Sequence, residues 1–302
     1  MSAHGSSSRA ILYAFIANLG IALAKLAAAF YTKSGSMLAE SIHSFADSGN
    51  QVLLYIGLTQ AQRPADAKHP LGYGKTSYFW SFIVALMLFS MGGLFSIYEG
   101  WHKLHETGSL NKPWVALVVL GLSILLEFGS LAGCVREINK IRGAKPFRQW
   151  LSGTRNAELV VVLGEDIAAL VGLVLAFAFV SLATVTGNPV YDAVGSITIG
   201  VVLIFVSIFI AIRIKGLIIG TSAEDDLRKG IDAEIRSDPA IRELFNAITL
   251  QLGPQVMLAA KVRMHPGISI DEAVGHINRL EVRIKSKFPE VKWCFIEPDN
   301  TD

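Results

Sequence analysis

A histidine and an aspartate, His43 and Asp47, stand four positions apart within an apolar stretch of the sequence. An ionisable side chain inside a membrane-spanning segment is costly, and it usually faces a pathway, an ion or a polar partner. Imidazole and carboxylate groups are also ligands of first-row transition metals. The pair therefore suggests a metal site within a membrane.

Two further polar residues share the helix face that carries this pair. Glu40, His43, Asp47 and Asn50 follow a spacing of three or four residues, which places them on one side of a helix. An amide such as Asn50 more often joins two neighbouring helices than binds an ion. The carboxylates cost more to bury than the amide, so the histidine and the acids are the better candidates for ion binding.

A third acid, Asp166, lies in a later apolar segment. At about 1.5 Å per residue, Asp47 and Asp166 each lie roughly 15 Å from the starts of their helices. If the two helices cross in opposite directions, the carboxylates reach a similar depth and can meet. Glu165 and Glu127 are additional candidates. Each could be a further ligand, a proton carrier or a partner of a basic side chain.

The composition predicts the elements that must position these side chains. Of the 302 residues, 52% are hydrophobic and only 17% are charged, whereas soluble domains contain roughly 25% charged residues. The apolar residues are gathered into runs of roughly 20, the length of a membrane span. Six spans are predicted, near residues 10–31, 37–61, 77–101, 113–135, 157–183 and 191–213.

The predicted fold is an α-helical membrane protein, with six transmembrane helices followed by a small α+β cytoplasmic domain. The predicted boundaries are a cytoplasmic N-terminus at 1–9, a six-helix domain at 10–215 and a C-terminal domain at 222–302. Hydrophobic periods of 3.6 and 2 residues predict the order α-β-β-α-β in that last domain. The elements are predicted at residues 224–236, 247–252, 256–264, 271–288 and 291–296.

The positions of the basic residues predict how the chain is oriented in the membrane. Lysine and arginine concentrate in the loops after spans two, four and six, which predicts that both termini are cytoplasmic. Lys25 lies late in span one and is expected to extend outward toward the membrane surface.

A net charge of +2 argues against nucleic acid as a partner. Cys134 and Cys294 lie in different regions, so no disulfide is predicted.

Three motifs together resemble those of the cation diffusion facilitator family of metal transporters. They are the second-helix segment 34–47, the loop segment 63–75 and the start of the sixth helix at 191–197. The resemblance spans nearly the whole chain and is strongest to the zinc transporter nine-like subgroup. It implies transport by alternating access and a homodimer held by the C-terminal domains.

The resemblance also implies a metal site between helices two and five. His43, Asp47 and Asp166 match its ligand positions, while Val162 occupies the fourth. A glutamate such as Glu165, or a water molecule, would then complete the shell, with Glu127 as a further candidate.

The family loop often carries a second, weaker metal site. Asp66 and His69 match two of its ligands, but Tyr73 stands at the third position. The alternative is that Asp66 orders a turn and His69 is a surface residue. In the C-terminal domain, Asn246 and Lys261 stand where other members have histidine ligands, so no binuclear site is expected there.

The predicted function is a proton-coupled antiporter that exports a divalent transition metal, with Zn²⁺ favoured and Fe²⁺ or Mn²⁺ as alternatives. The alternative is a membrane metal sensor or scaffold that binds without transport. No enzymatic activity and no resident cofactor are predicted. The expected partners are the metal ion, protons, the lipid bilayer and a second copy of the chain. The expected location is the bacterial inner membrane.

Overall fold

The computed structural model describes residues 3–105 and 112–301, with side chains from residue 18 onward. The described residues divide into two compact units. The first is drawn from Met1–Gly57, Trp80–Ala144 and Glu158–Ile214. The second is drawn from Leu58–Phe79, Lys145–Ala157 and Lys215–Asp302.

Long helices occupy all six of the apolar segments. The six long helices are α1 Ala3–Thr32, α2 Gly35–Ala61, α3 Thr76–His105, α4 Pro113–Arg142, α6 Ala157–Thr186 and α7 Val190–Ile219. A short helix, α5 Phe147–Gly153, lies between α4 and α6 in the chain. Four of them, α3, α4, α6 and α7, are long and apolar enough to cross a membrane. These four confirm the prediction of a helical membrane domain, and the count of six spans stays a prediction.

Helix α3 contains an irregular stretch that the sequence did not predict. Residues Leu88–Leu94 wind as a π-helix between two α-helical parts. Gly93 lies here against α7, where an added Cβ would come within 2.5 Å of Ile204 Cγ1. Conversely, a Cβ on Gly200 would lie 2.6 Å from the Gly93 carbonyl oxygen. The two helices therefore touch backbone to backbone, which only glycine permits at these positions.

The N-terminus of α2 is fixed by an acid from the first turn of α7. Asp192 is only 2% exposed. Its Oδ2 accepts the Gly35 backbone N–H at 2.6 Å, and its Oδ1 accepts the Ser34 hydroxyl at 2.7 Å and the Ser36 N–H at 3.2 Å. A carboxylate at this position satisfies backbone donors that have no partner within the helix. The first turn of the helix that carries His43 and Asp47 is thereby anchored.

The C-terminal part of the second unit, residues 220–302, contains a three-stranded sheet with two helices. Its elements are α8 Asp225–Arg236, β1 Ile241–Leu252, β2 Gln255–Met264, α9 Ile270–Lys287 and β3 Val291–Pro298. The sheet order is β1-β2-β3, with β1 antiparallel and β3 parallel to β2. The predicted order α-β-β-α-β is confirmed. The predicted start of the first strand at residue 247 is wrong, because β1 pairs with β2 from Ile241 onward.

The core of this unit lies between the sheet and the two helices. Ile231 and Ile235 of α8 and Leu280 and Ile284 of α9 are buried together with the inward-facing residues of the strands. Val256, which is among them, is fully buried at the start of β2. These positions repeat every three or four residues in the helices and every second residue in the strands, as one-sided burial requires.

The buried thiol of Cys294 allows a simple test of this core. Cys294 is 6% exposed and unpaired, and burial raises its pKa to about 12. Only about one thiol in 10⁴ would then be the reactive thiolate at pH 8. In a Cys134→Ser background, we expect a thiol reagent to leave Cys294 unmodified at pH 8 until the protein is unfolded. Rapid labelling of the folded protein would contradict the packing described here.

Candidate metal centre

A cavity of about 120 Å³ lies within the first unit, between α1, α2, α4 and α6. Four carboxylates contribute to its wall: Asp47, Glu127, Glu165 and Asp166. All four were candidates from the sequence. The structure therefore brings together side chains that lie as much as 119 residues apart, since Asp47 and Asp166 face the same space.

His43 lies beside this cavity on the α3 side of Asp47. Its Nε2 is 3.5 Å from Asp47 Oδ2, and the residue is 1% exposed. On its other side, a Cβ built on Gly92 would lie 3.7 Å from His43 Nδ1. The imidazole is thus held between Asp47 and the π-helical stretch of α3, close enough to Asp47 to share a cation with it.

The neighbouring acids of α6 are held by different helices. Ser130 of α4 donates its hydroxyl to Asp166 Oδ1 at 3.2 Å, whereas Asn50 of α2 donates its amide to Glu165 Oε1 at 2.6 Å. Asn50 therefore joins two helices, as expected for an amide in a span. Although their hydrogen-bond partners differ, Glu165 and Asp166 both line the cavity.

Several buried polar atoms around the cavity have no hydrogen-bond partner among the described residues. They include Asp47 Oδ1, Asp166 Oδ2, both ring nitrogens of His43 and both carboxylate oxygens of Glu40. A buried polar atom without a partner costs about 1–3 kcal/mol, and more if the group is charged. Nearly all such atoms in proteins are satisfied, so a cluster of exceptions needs an explanation. Binding of a cation or of protons at this cluster would provide one.

The structure does not assemble a closed ligand shell. Within residues 18–105 and 112–301, no group of three His, Cys, Asp or Glu side chains is arranged to hold a metal ion. Val162, at the fourth ligand position implied by the family, lines the cavity without a donor atom. The ligand set His43, Asp47 and Asp166, with Glu165 and Glu127, therefore stays a prediction.

Comparison with known proteins decides the family. The cation efflux transmembrane domain matches residues 11–213. The chain belongs to the cation efflux family. The predicted resemblance to the cation diffusion facilitators is thereby confirmed, and the family is one of cation efflux transporters and not of enzymes.

Curated relatives in animals, plants and bacteria match parts of this cation efflux protein. "Proton-coupled zinc antiporter SLC30A9, mitochondrial" from Xenopus laevis is 34% identical over 83% of this chain and 44% of its own length. "Metal tolerance protein C4" from Arabidopsis thaliana is 32% identical over 82% of this chain and 55% of its own length. "Magnetosome protein MamM" from Paramagnetospirillum magneticum is 28% identical over 43% of this chain and 42% of its own length. The chain thus spans about half the length of the curated relatives it matches. A solved MamM C-terminal domain covers 25% of this chain and 95% of its own length, at 9% identity and a TM-score of 0.24.

Four further polar residues of this cation efflux protein line the cavity and were not predicted as site residues: Asn18, Ser44, Gln51 and Ser130. Three of them could have been found by helical spacing. Ser44 and Gln51 lie three residues before and four residues after Asp47, and Ser130 lies three residues after Glu127. Such spacings put side chains on the same helix face.

The prediction that Lys25 extends outward is wrong. Lys25 is 1% exposed, and its ammonium donates a hydrogen bond of 2.6 Å to the Ser44 hydroxyl on α2. Lysine extends toward a membrane surface when its own helix offers no polar alternative. Here α2 offers a hydroxyl and nearby acids, so the side chain turns inward.

The loop before α3 shows a hydrogen-bonded turn. Asp66 Oδ1 accepts the backbone N–H groups of Lys68 and His69 at 2.9 and 2.7 Å, and Oδ2 accepts the Tyr73 hydroxyl at 2.7 Å. The hydrogen bond from Tyr73 holds the pKa of the exposed Asp66 carboxyl below its usual value. Both oxygens of Asp66 are occupied in this way. The geometry supports the alternative that Asp66 orders a turn, and metal binding by Asp66 and His69 stays a prediction.

Proposed function

We propose that this cation efflux protein is a proton-coupled antiporter that exports a divalent transition metal from the cytoplasm. Zn²⁺ is the proposed substrate, with Fe²⁺ and Mn²⁺ as alternatives. The observation that supports this best is a pair of carboxylate oxygens, Asp47 Oδ1 and Asp166 Oδ2, that have no hydrogen-bond partner among the described residues and lie on two helices facing one cavity. Carboxylates at such a place are costly unless they receive a cation or a proton.

Competition between metal and protons explains how the two movements are coupled. Carboxylate and imidazole groups must lose their protons before they can bind a metal ion. A metal that leaves His43, Asp47 and Asp166 on the far side is therefore replaced by protons at the same atoms. Protons that leave on the cytoplasmic side make the site ready for the next metal ion. The proposed topology has six spans with both termini in the cytoplasm, in line with the distribution of basic residues.

The relatives described above support Zn²⁺ as the proposed substrate and a membrane as the proposed location. A zinc antiporter matches 83% of this chain, although this chain covers only 44% of that protein. We propose the bacterial inner membrane as the location, and MamM from Paramagnetospirillum magneticum is a bacterial relative. A homodimer held by the C-terminal domains is the proposed assembly.

Gradient-driven flux in proteoliposomes tests the function. With an acidic interior and Zn²⁺ outside, we expect the reconstituted 302-residue protein to accumulate Zn²⁺ in the lumen as the interior becomes less acidic. Collapse of the pH gradient by an ionophore should abolish accumulation. The same vesicles with Fe²⁺ or Mn²⁺ in place of Zn²⁺ would rank the substrates. Stoichiometric Zn²⁺ binding without gradient-driven flux would contradict the proposal and favour a metal sensor or scaffold.

A further inference from the structure

Lys25 places a basic group at the edge of the proposed metal site. Its ammonium donates to the hydroxyl of Ser44, and Ser44 itself lines the cavity. Ser44 lies four residues after Glu40 and three residues before Asp47 on α2, so the ammonium reaches the part of this helix that carries both acids. A buried ammonium is stable only if nearby anions compensate for its lost hydration. The carboxylates of the site are the anions that can do so.

Glu40 is the second unusual group in this region. It is 0% exposed, and neither of its carboxylate oxygens has a hydrogen-bond partner among the described residues. The carboxylate faces α6, since a Cβ built on Gly172 would lie 3.6 Å from Glu40 Oε2. Glu40 lies three residues before His43 on α2, so it is one helical turn away from the predicted ligands. A buried acid and a buried amine thus flank the same site, and the amine is hydrogen-bonded to a neutral hydroxyl.

A divalent cation at Asp47 and Asp166 would change the balance around Lys25. The metal repels the ammonium and withdraws the negative charge of Asp47 that stabilises it. The Coulomb energy between such charges remains large at distances of several ångströms inside a protein. The Glu40 carboxylate is then an available anion, because it is buried one helical turn from Ser44 and its oxygens accept no hydrogen bond from any residue that the structure describes.

We propose that Lys25 is a tethered cation that balances the charge of the site when no metal is bound and pairs with Glu40 when a divalent ion binds. This inference rests on the proposed function of the cavity as a metal site. It assigns Lys25 and Glu40 a positioning role, because neither needs to touch the metal. Lys25 and Glu40 together therefore set the affinity of the site for a divalent metal ion, because the Lys25 ammonium competes with that ion for the negative charge of the site.

The Zn²⁺ affinities of four versions of the 302-residue protein test this role in a double-mutant cycle. They are the wild type, Lys25→Met, Glu40→Gln and the double variant, titrated with Zn²⁺ alone by calorimetry in detergent. We expect Lys25→Met to bind Zn²⁺ about tenfold tighter or more, because the competing cation is gone. Glu40→Gln should bind about tenfold weaker, because the displaced ammonium has no carboxylate to pair with. When Lys25→Met is already present, Glu40→Gln should weaken binding by a clearly smaller factor than in the wild type, because only the direct attraction of the Glu40 carboxylate for the metal is then lost.

Controls separate this inference from a structural effect and from failure of the metal site. Lys33→Met removes an exposed lysine from the region just after α1 and should leave the affinity unchanged. If Lys25→Met does not fold, Glu40→Gln alone still decides, because an unchanged affinity would overturn the proposal. Additive effects in the cycle, or weaker binding by Lys25→Met, would also overturn it. If the wild type binds no Zn²⁺, or if the Asp47→Ala, Asp166→Ala double variant binds Zn²⁺ as tightly as the wild type, the assignment of the metal site is itself wrong.

Discussion

Replacement of Asp47 and Asp166 together by alanine should reduce proton-driven Zn²⁺ flux in proteoliposomes to the background of protein-free vesicles. The two acids lie on α2 and α6 and both line the cavity, and each has one carboxylate oxygen that accepts no hydrogen bond within the described part of the chain. Loss of a single supporting group around a metal costs about 10- to 100-fold in affinity, and these residues are proposed as direct ligands. We therefore expect a loss of at least about 100-fold in the initial rate of uptake.

A matched control uses an acid of the same membrane unit that lies away from the cavity. Glu137 of α4 is exposed and pairs with Lys140, so Glu137→Ala should transport at a rate close to that of the wild type. Size-exclusion profiles must show that the double variant is folded. If the folded double variant still transports Zn²⁺ along an imposed pH gradient, the assignment of the site is wrong and the search moves to the remaining acids.

Much of this site could be predicted because it depends on positions along single helices. The depth of Asp47 and Asp166 follows from the rise per residue and from where each apolar segment begins. Their convergence follows from antiparallel crossing of the two helices. The same reasoning found the α-β-β-α-β order of the second unit, since each of its elements has a clear hydrophobic period.

The features that escaped prediction depend on partners from distant parts of the chain. The direction of Lys25 is decided by Ser44 on another helix, and no property of α1 alone reveals it. The π-helical stretch of α3 differs from an α-helix by a small change in hydrogen-bond register. Gly93 within this stretch lies against α7, and the sequence of α3 alone does not reveal that contact. Asp192 was part of a recognised motif, but its bonds reach back across more than 150 residues to the start of α2.

The hydrogen bonds that Asp192 accepts from Ser34 and Gly35 anchor the start of α2. Asp192→Ala should lower the free energy of unfolding by about 3–5 kcal/mol. The substitution removes a buried acceptor from Gly35 N–H and from the Ser34 hydroxyl. Hydrogen bonds to charged groups contribute about 1.5–3 kcal/mol each, and the donors would be left buried without a partner. Thermal unfolding in detergent, followed by circular dichroism, measures the loss.

Two further variants distinguish the loss of these specific bonds from a general effect of charge. Asp192→Asn keeps one side-chain oxygen as an acceptor and should cost about half as much. Asp271→Ala also removes an acid from the first turn of a helix, α9, but Asp271 is exposed. It should cost less than about 1 kcal/mol, as is usual for an exposed charge at a helix terminus. If Asp192→Ala is no more damaging than Asp271→Ala, Asp192 does not anchor α2.

The anchor also links stability to transport. Asp47 lies about 18 Å along α2 from Gly35, because each residue adds about 1.5 Å to the helix. A first turn released from Asp192 allows α2 to rotate or shift, and a small rotation is enough to turn the Asp47 carboxylate away from the cavity. At temperatures at which Asp192→Ala is still folded, we therefore expect its Zn²⁺ flux to fall together with its Zn²⁺ affinity. Flux that falls while affinity stays constant would instead indicate that Asp192 acts on the movement of the helices and not on the position of the ligands.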